Sequence, residues 1–203
     1  MRTIALCVAA MQLCSGITSA QTTEKKLKFG FNLGAGYTDL RVKSALRSSA
    51  VQVNNSGGIR LGLLANYAVN DYISISPEAE LAFQNSQIAS VQPDASILIT
   101  DVYPALLEFS THLVYKLKGE RARPYLLLGP NVKLPLVDKK NPSPTIAQSD
   151  VAIDVGIGVD RVFGISKIHC APEVRFSSGM MNLSNNSSYQ LNYNSVSFMI
   201  NFM

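Results

Sequence analysis

From Leu27 to Phe202 the chain repeatedly alternates apolar and polar residues. Successive side chains on a strand point to opposite faces, so such alternation predicts strands with one apolar face. Leu106–Leu136 shows it best. Leu107, Phe109, Thr111, Leu113, Tyr115 and Leu117 share one parity, opposite Glu108, Ser110, His112, Val114 and Lys116. After the charged link Lys118–Arg123, Leu126, Leu128, Pro130, Val132, Leu134 and Leu136 form a second apolar face. The two runs read as a hairpin. Similar faces lie within Leu27–Tyr37, Ile59–Tyr67, Ile73–Phe83, Val151–Val159, Ile168–Phe176 and Val196–Phe202, giving eight expected strands.

The links between them alternate in length. Arg41–Gly57, Asn85–Asp101, Asp138–Asp150 and Gly179–Asn192 are long and polar, with Ile97–Ile99 able to extend the following strand. Those at Asn70-Asp71, Lys118–Arg123 and Phe163–Ser166 are tight. In an antiparallel meander, alternate links lie at the same end. The long links should therefore emerge at one end and the tight turns at the other. Pairing of the first and last strands would close a barrel and remove its edges. The expectation is an all-β fold: an eight-stranded, antiparallel, up-and-down transmembrane barrel with tight periplasmic turns and long outer loops.

Alternation does not say which face looks outward. A soluble barrel with a ligand cavity has an apolar lumen; a membrane barrel is reversed. Three features favour the membrane. The polar face is rich in Gly, Ser, Ala and Asn, which suit a narrow lumen. Its charges are of both signs: Arg60, Glu78, Glu80, Glu108, Lys116, Lys133, Asp154, Asp160, Glu173 and Arg175, joined by His112. Such groups can pair across a small lumen, where an unpaired charge is costly. Aromatics on the apolar face, such as Phe29, Tyr37, Tyr67, Phe83, Tyr115 and Phe176, fall near strand ends, as interfacial girdles would.

The remaining composition narrows the setting. Arg2, the apolar stretch Ile4–Leu13 and the small residues Thr18-Ser19-Ala20 read as a secretory signal peptide over 1–20, cleaved after Ala20. Residues 21–26 form a short periplasmic lead-in, and 27–203 form the barrel. The apolar stretch is shorter than the about 20 residues needed for a membrane-spanning helix. Cleavage removes Cys7 and Cys14, leaving Cys170 with no internal disulfide partner. It also lowers the formal charge from +4 to +3, as Arg2 is lost. No run of Lys or Arg interleaves with aromatics, so nucleic acid is not an expected partner.

Candidate chemistry is sparse. The two histidines, His112 and His169, share strand faces with Glu108 and Glu173, but about 13 Å separates residues four apart on a strand. No metal-ligand spacing appears, and Gly156 and Gly158 lie inside a strand, not in a phosphate loop. No catalytic, cofactor or metal residues are expected. Loops carried by a rigid scaffold are better candidates for binding. Arg41, Lys43 and Arg47 in the first loop, with Lys139 and Lys140 in the third, would form a basic outer rim. That rim is either a contact for anionic head groups or an acidic partner, or a set of ordinary solvated charges.

Lys28–Tyr37 (KFGFNLGAGY), Leu107–Leu117 (LEFSTHLVYKL), Arg123–Leu136 (RPYLLLGPNVKLPL), Asp154–Asp160 (DVGIGVD), Ala171–Leu183 (APEVRFSSGMMNL) and Ser195–Phe202 together resemble the PorT family of outer-membrane barrels of Bacteroidetes-type bacteria. The RARPYLLLG and PEVRFSSGMMNL pieces are similar to its branch supporting type IX secretion. The resemblance implies a non-enzymatic protein of the outer membrane with a structural or accessory role in protein secretion. Its implied partners are outer-membrane lipid, the barrel assembly machinery during insertion, and secretion-system proteins. It departs from the usual terminal aromatic, because Met203 follows Phe202. Alternatives are a small ligand-binding or transport barrel, and an outer-membrane hydrolase or acyltransferase.

Overall fold

The computed structural model describes residues 26–44, 51–91, 97–102, 104–119, 122–136, 149–163, 168–182 and 189–203. They form β1 (Leu27–Ser44), β2 (Val51–Asn54), β3 (Gly57–Ala68), β4 (Ile73–Gln84), β5 (Ser86–Val91) and β6 (Ile97–Val102). These are followed by β7 (Ala105–Lys116), β8 (Ala122–Pro135), β9 (Asp150–Phe163), β10 (Ile168–Gly179) and β11 (Tyr189–Phe202).

Eight of the strands close a barrel in the order β1-β11-β10-β9-β8-β7-β4-β3. Every neighbouring pair is antiparallel, and the first and last strands meet, with Leu33 opposite Ile200 and Tyr37 opposite Val196. Each backbone donor and acceptor along the wall thus has a neighbouring strand to pair with. In hydrocarbon, which offers no water, only such closure satisfies a sheet. The β3–β4 turn is held by Asn70, whose Oδ1 accepts from the backbone N–H of Tyr72 at 2.9 Å and of Ile73 at 2.8 Å.

The alternation resolves with the apolar side outward. Phe29 is 73% exposed, Leu63 70% and Ile157 60%, whereas the intervening positions of the same strands turn inward. Tyr67 and Tyr115 stand near the tight-turn end of this wall, and Tyr37, Phe83 and Phe176 near the other. Phe31 of β1 stacks on Phe202 of β11 across the closing seam, with centroids 4.9 Å apart. Met203 therefore does not displace the last aromatic from the wall.

Three expected loops are shorter than their polarity suggested. β1 continues to Ser44, with Arg41 opposite Asn192 and Lys43 opposite Gln190 on β11. Gly179 ends β10, and β11 starts at Tyr189 inside the segment read as the last loop. The Arg41–Gly57 and Asn85–Asp101 links contain β2, β5 and β6, which form a separate sheet in the order β2-β5-β6. Beyond a membrane neither face needs to be uniformly apolar, so the pattern that marks the barrel strands fades although backbone pairing persists. Ser56 ties the two parts together. Its carbonyl accepts from Thr38 N–H at 3.0 Å, and its hydroxyl accepts from Asn85 N–H at 2.9 Å.

Candidate functional site

The lumen is filled by charged side chains from six of the eight barrel strands, β3, β4, β7, β8, β9 and β10. Arg175 of β10 stands at the centre and is 1% exposed. Its Nη2 lies 2.8 Å from Glu78 Oε2 and 2.7 Å from Glu173 Oε1, and its Nη1 lies 3.1 Å from Glu80 Oε1. Arg60 of β3 makes a second node, 2.8 Å from Glu108 Oε1 and 3.4 Å from Glu80 Oε2. Glu80 thus bridges two guanidinium groups, and Glu78 and Glu80 lie two residues apart on one inward face of β4. Rigid guanidinium forks suit such shared carboxylates.

His112 joins a third group to this network. Its Nδ1 is 3.3 Å from Glu78 Oε1 and its Nε2 is 3.2 Å from Asp154 Oδ2. Both ring nitrogens face carboxylates, and the side chain is completely buried. Neither nitrogen is directed at a hydroxyl, which a nucleophile–base pair requires. The carboxylates beside His112 come from β4 and β9, not from Glu108 on its own strand. The His169 side chain lies outside the described residues.

Amides supply the remaining connections. Asn131 Nδ2 donates to Glu108 Oε2 at 2.8 Å and to Asp154 Oδ2 at 3.0 Å. Asn32 Nδ2 donates to Glu80 Oε1 at 2.8 Å. Tyr125 Oη donates to Glu173 Oε2 at 2.9 Å, and Asn201 Nδ2 donates to the same oxygen at 3.1 Å. Gly158 makes room for this tyrosine: an added Cβ would run into the Tyr125 ring. Asn32, Tyr125, Asn131 and Asn201 were not among the expected network residues. Their shared inward parity with Gly and Ser was the available signal, but neutral side chains gave no reason to single them out.

The other charged lumen residues occupy the two ends. Lys116 pairs with Asp160 at 3.1 Å near the tight turns, the lysine half-buried and the aspartate buried. Lys133 lies near the opposite end, fully buried, with its ammonium 4.4 Å from the centroid of the Tyr193 ring, a cation–π contact. There Tyr193 Oη donates to Gln84 Oε1 at 2.7 Å, and Thr38 Oγ1 donates to the same oxygen at 2.6 Å. This cap crosses β1, β4 and β11 above the ion network.

Of the five residues of the expected basic rim, two lie among the described residues. Arg41 and Lys43 lie on β1, not in a loop. Arg41 pairs with Asp39 at 2.7 Å, with 67% of the arginine side chain exposed. Arg47, Lys139 and Lys140 lie outside the described residues.

No family model matches the sequence, and no curated protein matches it. Among solved structures, the outer membrane protein OprG from Pseudomonas aeruginosa is similar at 14% identity, over 85% of this chain and 93% of that one, with a TM-score of 0.49. Neisserial surface protein A is similar at 16% identity, over 84% of this chain and 95% of that one, with a TM-score of 0.47. The outer membrane protein AlkL, solved in lipid bilayers, is similar at 13% identity, over 92% of this chain and 93% of that one, with a TM-score of 0.44. The chain's own geometry is a closed barrel with an apolar outer wall and an ion-paired, hydrogen-bonded interior.

Proposed function

We propose that this chain is a non-enzymatic outer-membrane barrel with a structural or accessory role in protein secretion at the cell envelope. The observation that carries the reading is the filled lumen. Arg60, Arg175 and their carboxylate partners stand where a channel would run. An eight-stranded barrel leaves little interior beyond its side chains, so contacts at its ends and outer surface are the better route to function. The sheet β2-β5-β6 and the β1–β11 extension provide such a surface. The apolar wall supports lipid as the surrounding partner, the expected leader supports export, and the closing strand supports recognition by barrel assembly machinery. The PorT-like sequence pieces support the secretion role and its branch.

Two measurements test this. Membrane fractionation of cells expressing the full chain should place it in the outer membrane, with slower or faster migration in SDS before boiling. A deletion strain should lose most of its secreted protein load and recover it on complementation. Unchanged secretion in a verified deletion strain would remove the export role while leaving the barrel intact.

A further inference from the structure

Charge divides unevenly between the two ends of the barrel. At the tight-turn end, Lys26, Lys28, Lys116, Lys118, Arg123 and Arg161 stand against Asp71 and Asp160 among the described residues. At the other end, Arg41 and Lys43 of β1 are matched by Asp39 and by Asp101 of β6.

The backbone gathers the cations at one rim. The Lys26 carbonyl accepts from Ala68 N–H at 2.7 Å, which ties the start of β1 to the β3–β4 turn. Leu117 N–H donates to the Pro124 carbonyl at 2.8 Å, so Lys118 and Arg123 are the next residues into the β7–β8 turn. Arg161 lies opposite Ala122 on β8 and Cys170 on β10. Lys26, Lys28, Lys118, Arg123 and Arg161 are all exposed. Asp160, in contrast, is buried and holds Lys116 at 3.1 Å. Like charges brought together repel, and an anion from outside the protein relieves that repulsion.

Arg161 says which anion. It has the parity of Val155 and Ile157, and so stands on the lipid-facing side of β9. A charge on that side is costly at mid-membrane and tolerated near the interface. Tyr67 and Tyr115 mark that level at the same end of the wall. The anion beside a guanidinium there is a lipid phosphate, which it can grip with two parallel N–H donors. A zwitterionic head group carries its own cation, whereas phosphatidylglycerol leaves its phosphate charge uncompensated.

We propose that the tight-turn rim is a basic collar that collects anionic phospholipid from the adjoining leaflet. Arg161 holds phosphate, and Lys26, Lys28, Lys118 and Arg123 supply the attracting field. The collar rests on the membrane barrel proposed above and not on the secretion role.

The test refolds the full chain into phosphatidylcholine vesicles, where altered migration in SDS before boiling reports the barrel. Spin-labelled phosphatidylglycerol and phosphatidylcholine are then compared by EPR for their share of motionally restricted lipid. Phosphatidylglycerol should be enriched at the protein about threefold or more in low salt, and should lose most of that preference in about 1 M salt. Arg123→Gln combined with Arg161→Gln should remove most of the preference. Arg41→Gln combined with Lys43→Gln, at the opposite end, should retain it. No preference in a folded wild-type barrel, or the same preference in both double variants, would overturn the collar. Saturable binding of hexaglutamate without lipid preference would assign the rim to an acidic protein and overturn it as well. A chain that shows no altered migration in SDS would defeat the membrane barrel itself, and the collar with it.

Discussion

On β9, Val155 and Ile157 are at least half exposed, while Asp154 between Ile153 and Val155 is completely buried. The outer wall and the lumen are thus made from the same strands under opposite rules. The wall tolerates any apolar side chain, because lipid fills whatever shape it leaves. The lumen tolerates few exchanges, because every charge there was taken from water and must meet a partner. Specificity in this molecule is concentrated inside, and tolerance outside.

The comparison is broken most severely at Arg175. Arg175→Met leaves Glu78, Glu80 and Glu173 without their shared cation. Removing one member of a buried network costs about 3–5 kcal/mol. Urea titration in micelles, read from the folded and unfolded bands on a gel, should show at least that loss or no folded band. A loss below about 1 kcal/mol, typical of an exposed pair, would mean that the lumen is hydrated and the network weak.

A charge on the wall should cost somewhat less, and in a depth-dependent way. Ile157→Arg lies midway along β9 and should cost about 2–4 kcal/mol in lipid, whereas Tyr37→Arg near the outer rim should cost about 0–1 kcal/mol. Equal costs at both depths in vesicle refolding titrations would argue against a lipid-facing wall.

Gly158→Ala probes the packing of the lumen without changing any charge. The new methyl group displaces the Tyr125 ring and weakens its bond to Glu173. Overpacking of this kind costs about 1–3 kcal/mol, measurable by the same urea titration. A wild-type midpoint would show that the ring is not held. The smallest effect belongs to Arg41→Ala. Its pair with Asp39 is exposed, and such pairs contribute about 0.2–1 kcal/mol.

These two rules also explain what could be read from sequence. The barrel strands were legible because lipid demands an apolar residue at every second position, as in Leu107–Leu117. The inward parity of Arg60, Glu78, Glu108 and Arg175 followed from the same alternation. Which charge meets which did not, because partners such as His112 and Asp154 are brought together by register and barrel closure, 42 positions apart. β2 and β5 carry no barrel-strand alternation because they lie where neither face meets lipid, and of β6 only Ile97–Ile99 shows a strand signal. Arg41 and Lys43 lie in a strand and not a loop for a related reason: backbone pairing with β11 extends β1 whatever their side chains.

The most direct test of the outward apolar wall exploits a gap in composition, since the chain contains no tryptophan. A single Ile157→Trp variant, refolded into vesicles of brominated phosphatidylcholine, places the only indole on the wall. A Tyr72→Trp variant places it in the β3–β4 turn. The account predicts strong quenching by bromine at position 157 and weak quenching at position 72. An unquenched indole at position 157 in a folded barrel would contradict it, because that side chain would then face away from lipid.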